Sequence, residues 1–306
     1  MKRFLAGRFL QSIVSVFFLV TVVFFLMRLT GDPAARMIPV EATMEVQENI
    51  RRRFGLDKPL IEQFWLFFRE MFKGDLGQSL YFQRDVTDLL GRRILPSLQL
   101  AVASMAFAFA VSLPLGVYAA VHRGGMLDFG ARSFAILGGA LPSFLSGLVF
   151  IKVFAVQLGW FPVGGRNEPL SIVLPAVTLG WFVSAAIMRL TRSSMLEVLD
   201  TDYVKLARIK GVREWVVIWR HALKNALLPV VTYSAVIFAS VIGGALVTEY
   251  VFAWPGLASL LVHAVQSRDF PLIQGAVILI GVFFIVANFL ADLAYAWLDP
   301  RIRYSR

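Results

Sequence analysis

The chain has 306 residues, 58% of them hydrophobic, with a mean hydropathy of +0.71, an apolar share above that of water-soluble domains that marks an integral membrane protein. It has no cysteine and three histidines, His122, His221 and His263, far apart in sequence, so disulfides and thiolate metal sites are excluded and no metal site is expected. The net charge of +10 does not gather into the basic face that nucleic-acid binding requires.

The charge instead follows alternate loops. Lys2, Arg3 and Arg8, the 122–132 loop, the 189–228 segment with eight basic and four acidic residues, and the tail after Leu298 are net positive. Segments 31–95 and 159–169 are neutral and 249–271 is net negative. Because Lys and Arg accumulate on the cytoplasmic side, both termini are expected there.

In chain order, residues 9–29 are apolar for about twenty positions, enough to cross a hydrocarbon core of roughly 30 Å and longer than a cleaved leader's apolar region. They are expected to form a retained first span, with Arg28 snorkelling to the outer interface. Residues 31–96 read as a helical extracytoplasmic segment. One helix is expected over 41–54, stopped at Gly55, and a second opens at Pro59 with Ile61, Phe64, Trp65 and Phe68 on one face, stopped at Gly74. That aromatic face should lie on the protein or at the membrane surface.

The second span is expected over 97–121, with Pro114 tolerated inside it, and the third over 133–158. In the third, Gly139, Ser143 and Gly147 recur at every fourth residue, a small-residue ridge along which another helix could approach closely. Lys152 should snorkel near its outer end. Spans four, five and six are expected over 170–190, 230–251 and 272–298, with Met188 and Met195 as packing residues. Ala235, Ala239 and Gly243 repeat the four-residue spacing in span five and read as a face for a partner helix. Asp292, inside span six, should be paired structurally, with Asn288 one turn earlier as companion.

Between spans four and five lies a cytoplasmic loop, 191–229. Asp200 or Thr201 can cap a helix that places Asp202 at its positive end and carries Val204, Ala207 and Gly211 on one stripe. Gly211 ends it, and a second helix is expected to align Trp215, Trp219, Ala222 and Ala226 on one face. The corner Lys210-Gly211-Val212 is therefore a candidate docking device, since glycine removes the side chain where two backbones approach.

The run DYVKLARIKGVREWVVIWRHALKNALLPVVT resembles the cytoplasmic loop of permease subunits of bacterial binding-protein-dependent ABC importers, in their dipeptide, oligopeptide and nickel branch. Lys205-Leu206-Ala207 stands where the wider superfamily has Glu-Ala-Ala, with Gly211 in register; the acidic role cannot pass to Lys205, and the acidic residue is displaced to Asp202. Thr30-Gly31-Asp32-Pro33, Gly55-Leu56-Asp57-Lys58-Pro59, Gly74-Asp75-Leu76-Gly77, the run 251–257, Arg268-Asp269-Phe270-Pro271 and the run 299–304 extend the likeness over nearly the whole chain.

The resemblance implies an all-α type I importer permease of the bacterial inner membrane: a first span in 1–30, an extracytoplasmic segment in 31–96 and a five-span core in 97–306. It implies a second homologous permease, two ATP-binding subunits and an extracytoplasmic solute-binding protein. Asp202, Tyr203, Ala207, Lys210, Gly211, Val212 and Arg213 would couple to the ATPases; Gly139, Ser143, Gly147, Ala235, Ala239 and Gly243 would face the other permease. ATP and Mg would sit on the partners, for this chain contains no Gly-Lys pair and hence no phosphate loop. No cofactor is expected on this chain, and no substrate-path residue is assigned. Di- or oligopeptides are the expected cargo, with nickel or another metal chelate as the alternative. A channel would need polar rings facing a pore, and an enzyme a convergent acid, base, nucleophile or metal set; neither pattern is present.

Overall fold

The computed structural model describes residues 2–30, 44, 45, 48 and 57–298, with side chains omitted at 2–5, 30, 242–244 and 294–298. Helix α1 (Lys2–Thr30) lies antiparallel to the last helix, α12 (Phe270–Leu298). Phe9 meets Phe289 at 6.1 Å, and a Cβ on Gly281 would overlap Leu19, so the two axes approach closely there. Near the start of α1 Arg8 Nε lies 3.4 Å from Asp292. That pairs the carboxylate expected to need a partner; Asn288 instead donates to the Phe284 carbonyl. Arg28 places its guanidinium 5.1 Å from the Phe24 ring centre.

Helix α2 (Leu60–Phe72) starts behind Pro59 and is followed by Gly74 at φ +83°. The helix expected over 41–54 lies, apart from Met44, Glu45 and Glu48, outside the described residues. Of the four aromatic-face positions only Phe64 is buried, stacked on Phe25 and edge-on to Phe24; Ile61 and Trp65 point outward. Phe68 packs edge-on to Phe17 at 5.6 Å and Phe67 stacks on Phe24 at 5.7 Å, so part of the aromatic face lies on α1 as expected while Ile61 and Trp65 do not join it.

Helix α3 (Val86–Val121) starts well before the expected span and holds Pro96 and Pro114 without interruption. It pairs with α6 (Val173–Leu199) through glycines at both ends: a Cβ on Gly180 would strike the Ser104 carbonyl and Phe107, and one on Gly116 would strike Thr191. Between them, Leu100, Met105, Leu179, Val183 and Ile187 form the central core with residues of α9 (Leu223–Gly244) and Trp254.

The expected third span is broken. Helix α4 (Met126–Ala140) and helix α5 (Ser143–Phe150, continued as a π-turn over Ile151–Gln157) meet at an angle of 107°. The hinge is Leu141, whose ψ of 128° is the extended conformation favoured before a proline. The ridge Gly139, Ser143, Gly147 therefore does not run along one face. Gly139 sits beside Ala185, whereas Gly147 is buried where a Cβ would press on Phe252 and Thr178.

Two short helices, α10 (Leu246–Val251) and α11 (Leu257–Gln266), connect α9 to α12. Among the described residues, five helices are long and apolar enough to cross a membrane, or six when the bent α4–α5 pair counts as one span. The loop between α6 and α9 folds as α7 (Asp202–Ile209) and α8 (Glu214–Val216), the latter passing through a π-turn (Val217–Ala222) into α9.

Candidate functional site

The corner between α7 and α8 has a specific backbone geometry. Gly211 takes φ +76°, its N–H reaches the Arg208 carbonyl at 2.9 Å, and the Val212 N–H reaches the Ala207 carbonyl at 3.2 Å. These crossed bonds form a Schellman cap, which satisfies the last carbonyls of α7 and needs a left-handed residue at Gly211. Its accompanying apolar contact is present, since Ala207 and Val212 pack on the same cluster. Outside the cap, Arg208 bridges to Glu214 at 2.7 Å. At the start of α7, Thr201 holds the capping position as expected, but its hydroxyl donates back to the Val198 carbonyl.

The corner is seated on the ends of three spans. Val204, Val217, Ala222 and Ala226 are buried against Val117 and Ala120 of α3 and Met195 of α6. Trp219 stands edge-on to Tyr118 at 6.0 Å, and Asn225 donates to the Tyr203 hydroxyl at 2.7 Å. A push on the corner must therefore move α3, α6 and α9 together or break this packing. Trp215 does not join the expected face with Trp219, Ala222 and Ala226; the π-turn between them adds a residue and rotates Trp215 outward.

The outward face is apolar where a solvated loop would be polar. Ile209 is 81% exposed and Trp215 65%, with Leu206 and Tyr203 beside them. A cluster of exposed large side chains outside a span marks a protein-binding surface. Asp202, Lys210, Gly211 and Arg213 are exposed around it, and no side chain of the chain lies within 4 Å of where a Gly211 Cβ would sit.

Above the corner, Asp128 ties two spans. Its carboxylate is buried, receives Arg192 Nε and Nη2 at 2.8 and 2.9 Å and the Gly124 N–H at 3.0 Å, and lies 3.3 Å from Arg132 Nε. This clamp fixes the start of α4 to the C-terminal part of α6. Sequence spacing could not single it out, because the partners lie 64 positions apart.

On the opposite side Glu249 forms a second tie. Its oxygens accept from Ser97 Oγ at 2.6 Å and from the Ala258 and Ser259 N–H groups at 2.9 and 3.0 Å, capping α11. Trp254 Nε1 donates to the Pro96 carbonyl at 2.9 Å. Burial pushes the Glu249 carboxyl above its ordinary range, while those hydrogen bonds and Arg93 pull it back.

The small residues of span five separate. Ala239 is buried in the chain's own core, whereas Ala235 lines an open apolar cleft of about 560 Å3 between α3, α9 and α12, with Met105, Phe109 and Phe283. The surroundings of Gly243 lie outside the described residues. Among the described residues, no group of three or more His, Asp or Glu is placed to hold a metal ion.

Residues 112–304 match the family described as "Binding-protein-dependent transport system inner membrane component", and residues 1–97 match its N-terminal companion, "Binding-prot-dependent transport system membrane comp, N-term". The chain is 42% identical over 306 residues, the full length of both, to the glutathione transport system permease protein GsiC of Pectobacterium atrosepticum. It is 40% identical, again over both full lengths, to GsiC of Escherichia coli strain K12. Among solved structures, an inward-facing form of the MetNI methionine ABC transporter matches with a TM-score of 0.60 at 19% identity. That match covers 69% of this chain and 96% of that one, so it speaks for the fold. Matched along nearly its whole length, the chain belongs to the inner-membrane permease components of binding-protein-dependent ABC importers.

Proposed function

We propose that this permease imports short peptides, the tripeptide glutathione among them, and that separate ATPase subunits drive it through the corner at Gly211. Support for the cargo is the full-length likeness to glutathione permeases. Support for the coupling is the corner itself: an exposed apolar surface held by buried packing on three spans. The complex would comprise this chain, a second permease, two ATPases and a solute-binding protein, with both termini of this chain in the cytoplasm, as the alternation of loop charge supports.

A docked corner transmits work only if the ATPases hold it differently in their open and closed states. Gly211 is well suited to be the contact. Within the chain a Cβ there would meet nothing, so a partner would be first to feel one. Asp also tolerates the left-handed region better than most residues.

Gly211→Asp should leave the protein folded and in the membrane while uncoupling ATP hydrolysis from uptake. The measurement is glutathione accumulation in proteoliposomes carrying the complete importer, alongside ATP turnover. Wild-type uptake by the variant would refute the coupling, and uptake of a nickel chelate with no uptake of any peptide would refute the cargo.

A further inference from the structure

Helix α2 carries a wider apolar arc than the chain covers. At about 100° per residue, Phe64, Phe67, Phe68 and Met71 fall on one side of it and Glu62, Arg69, Glu70 and Lys73 on the other. The first four pack with Val20, Val23 and Phe24 of α1. Ile61, Trp65 and Phe72 form a flank between the two sides, and each is more than half exposed. A helix docked on protein and otherwise in water would carry polar residues along that flank.

The packing on α1 fixes the depth of the flank. No charged residue stands between Arg8 and Arg28, which are about 30 Å apart at 1.5 Å per residue, the thickness of a hydrocarbon core. Counting inward from Arg28, Phe24 comes after four positions and Phe17 after eleven, about 6 and 16 Å along the axis. The rings of Phe67 and Phe68 meet Phe24 and Phe17 at 5.7 and 5.6 Å, so α2 dips its rings into the hydrocarbon at the Arg28 end. The chain beyond α2 stays at a similar level. The Thr87 hydroxyl donates to the Gly74 carbonyl at 2.7 Å, and Leu76 lies 3.5 Å from where a Cβ on Gly275 would sit, five positions inside the start of α12.

The flank is also continuous with the open face of α1. Phe17 and Phe18 are exposed there, and Phe68, set against Phe17, touches Trp65 at 5.7 Å and Phe72 at 4.9 Å. An uncovered apolar surface that joins a span to a helix at this depth meets lipid, and a tryptophan along it suits the boundary between tails and headgroups. Exposed Arg69, next to the flank on the polar side, is placed to extend toward headgroup phosphates.

We propose that α2 is an interfacial helix whose Ile61, Trp65 and Phe72 flank is seated in the leaflet at the Arg28 end of α1, with phospholipid as its partner. Lipid and α1 then grip the helix from two sides. Through Gly74 they hold the 74–85 segment at the membrane surface, where the Ser79 hydroxyl and the Tyr81 N–H both donate to Asp269, just before α12.

The chain has no cysteine, so Trp65→Cys and Phe72→Cys each provide one thiol for a nitroxide. All the substituted side chains are exposed, so the fold is not at stake. Phe18→Cys, on the open face of α1, serves as the lipid standard, and Glu62→Cys, on the polar side of α2, as the water standard. The complete importer, its partner subunits free of cysteine, is placed in nanodiscs of phosphatidylethanolamine and phosphatidylglycerol. Power saturation then compares nitroxide collisions with oxygen, which concentrates in lipid, and with chromium oxalate, which stays in water. At 65 and 72 the ratio of oxygen to chromium collisions should lie nearer the value at 18 than the value at 62, so that the preferred collider reverses across the helix.

A ratio at 65 and 72 equal to that at 62 would place the flank in water. Few collisions with either reagent would mean that protein, the second permease or the solute-binding protein, covers it. Each of these results overturns the proposal.

Discussion

Gly211 at the α7–α8 corner and Gly256 at the Glu249 tie look alike in sequence and serve opposite needs. Gly211 sits at φ +76° with no atom near where a Cβ would point. It is glycine for its conformation. Gly256 has φ −100° and ψ −176°, extended backbone open to any residue, but a Cβ there would overlap the Glu249 carboxylate. It is glycine for space. The Glu249 tie is completed within the chain, with buried donors and acceptors meeting one another. The corner completes its own backbone bonds and leaves its apolar side chains to something else.

The sharpest way to break this contrast is alanine at each glycine. Gly256→Ala must expel the Glu249 carboxylate from the N-terminus of α11 and leave the Ala258 and Ser259 N–H groups and Ser97 without their acceptor. Overpacking together with lost buried hydrogen bonds should cost about 3 kcal/mol or more. Thermal unfolding of the purified protein in detergent measures it, and wild-type stability would mean that the tie is slack.

A smaller effect should come from protonation of the same group. The folded Glu249 carboxyl titrates above its ordinary value of 4.5, chiefly through burial. The folded state then binds the proton more tightly than the unfolded one. The resulting stability is complete below that ordinary value and is lost as pH rises through the raised one. Glu249→Gln keeps an acceptor for the α11 N–H groups and an amide for Ser97, so it should fold and flatten this part of the pH–stability curve. An unchanged slope would assign the titration elsewhere. Glu249→Ala, without any acceptor, should lose about 2–3 kcal/mol at every pH.

The same division explains what the sequence made legible. Hydropathy located the spans, and the stripe ending at Gly211 located the corner, because both are local periodicities. The bend at Leu141-Pro142 was hidden because proline alone does not break a membrane helix. Pro96, Pro114 and Pro229 all sit inside unbroken ones, where neighbouring helices satisfy the freed groups. The outward turn of Trp215 was hidden because a π-turn shifts the register without a residue that announces it. Asp128 with Arg192 and Glu249 with Ser97 are long-range meetings created by packing, and no spacing rule reaches them. Residues that bind within the chain were thus hardest to read, while the corner, folded from neighbours in sequence, was easiest.

The smallest predicted effect isolates the conformational half of the contrast. Gly211→Ala adds a methyl group to open space, so its only cost within the chain is the left-handed backbone, about 1 kcal/mol. Asparagine tolerates that region, and Gly211→Asn should unfold within a few tenths of wild type. At Gly256 the order should reverse, with the larger asparagine worse than alanine, because space is what is missing there. Unfolding of the four variants side by side in detergent decides the matter. A Gly211→Ala variant as damaged as Gly256→Ala would show that the corner is crowded from within, and its open face would then no longer argue for an external partner.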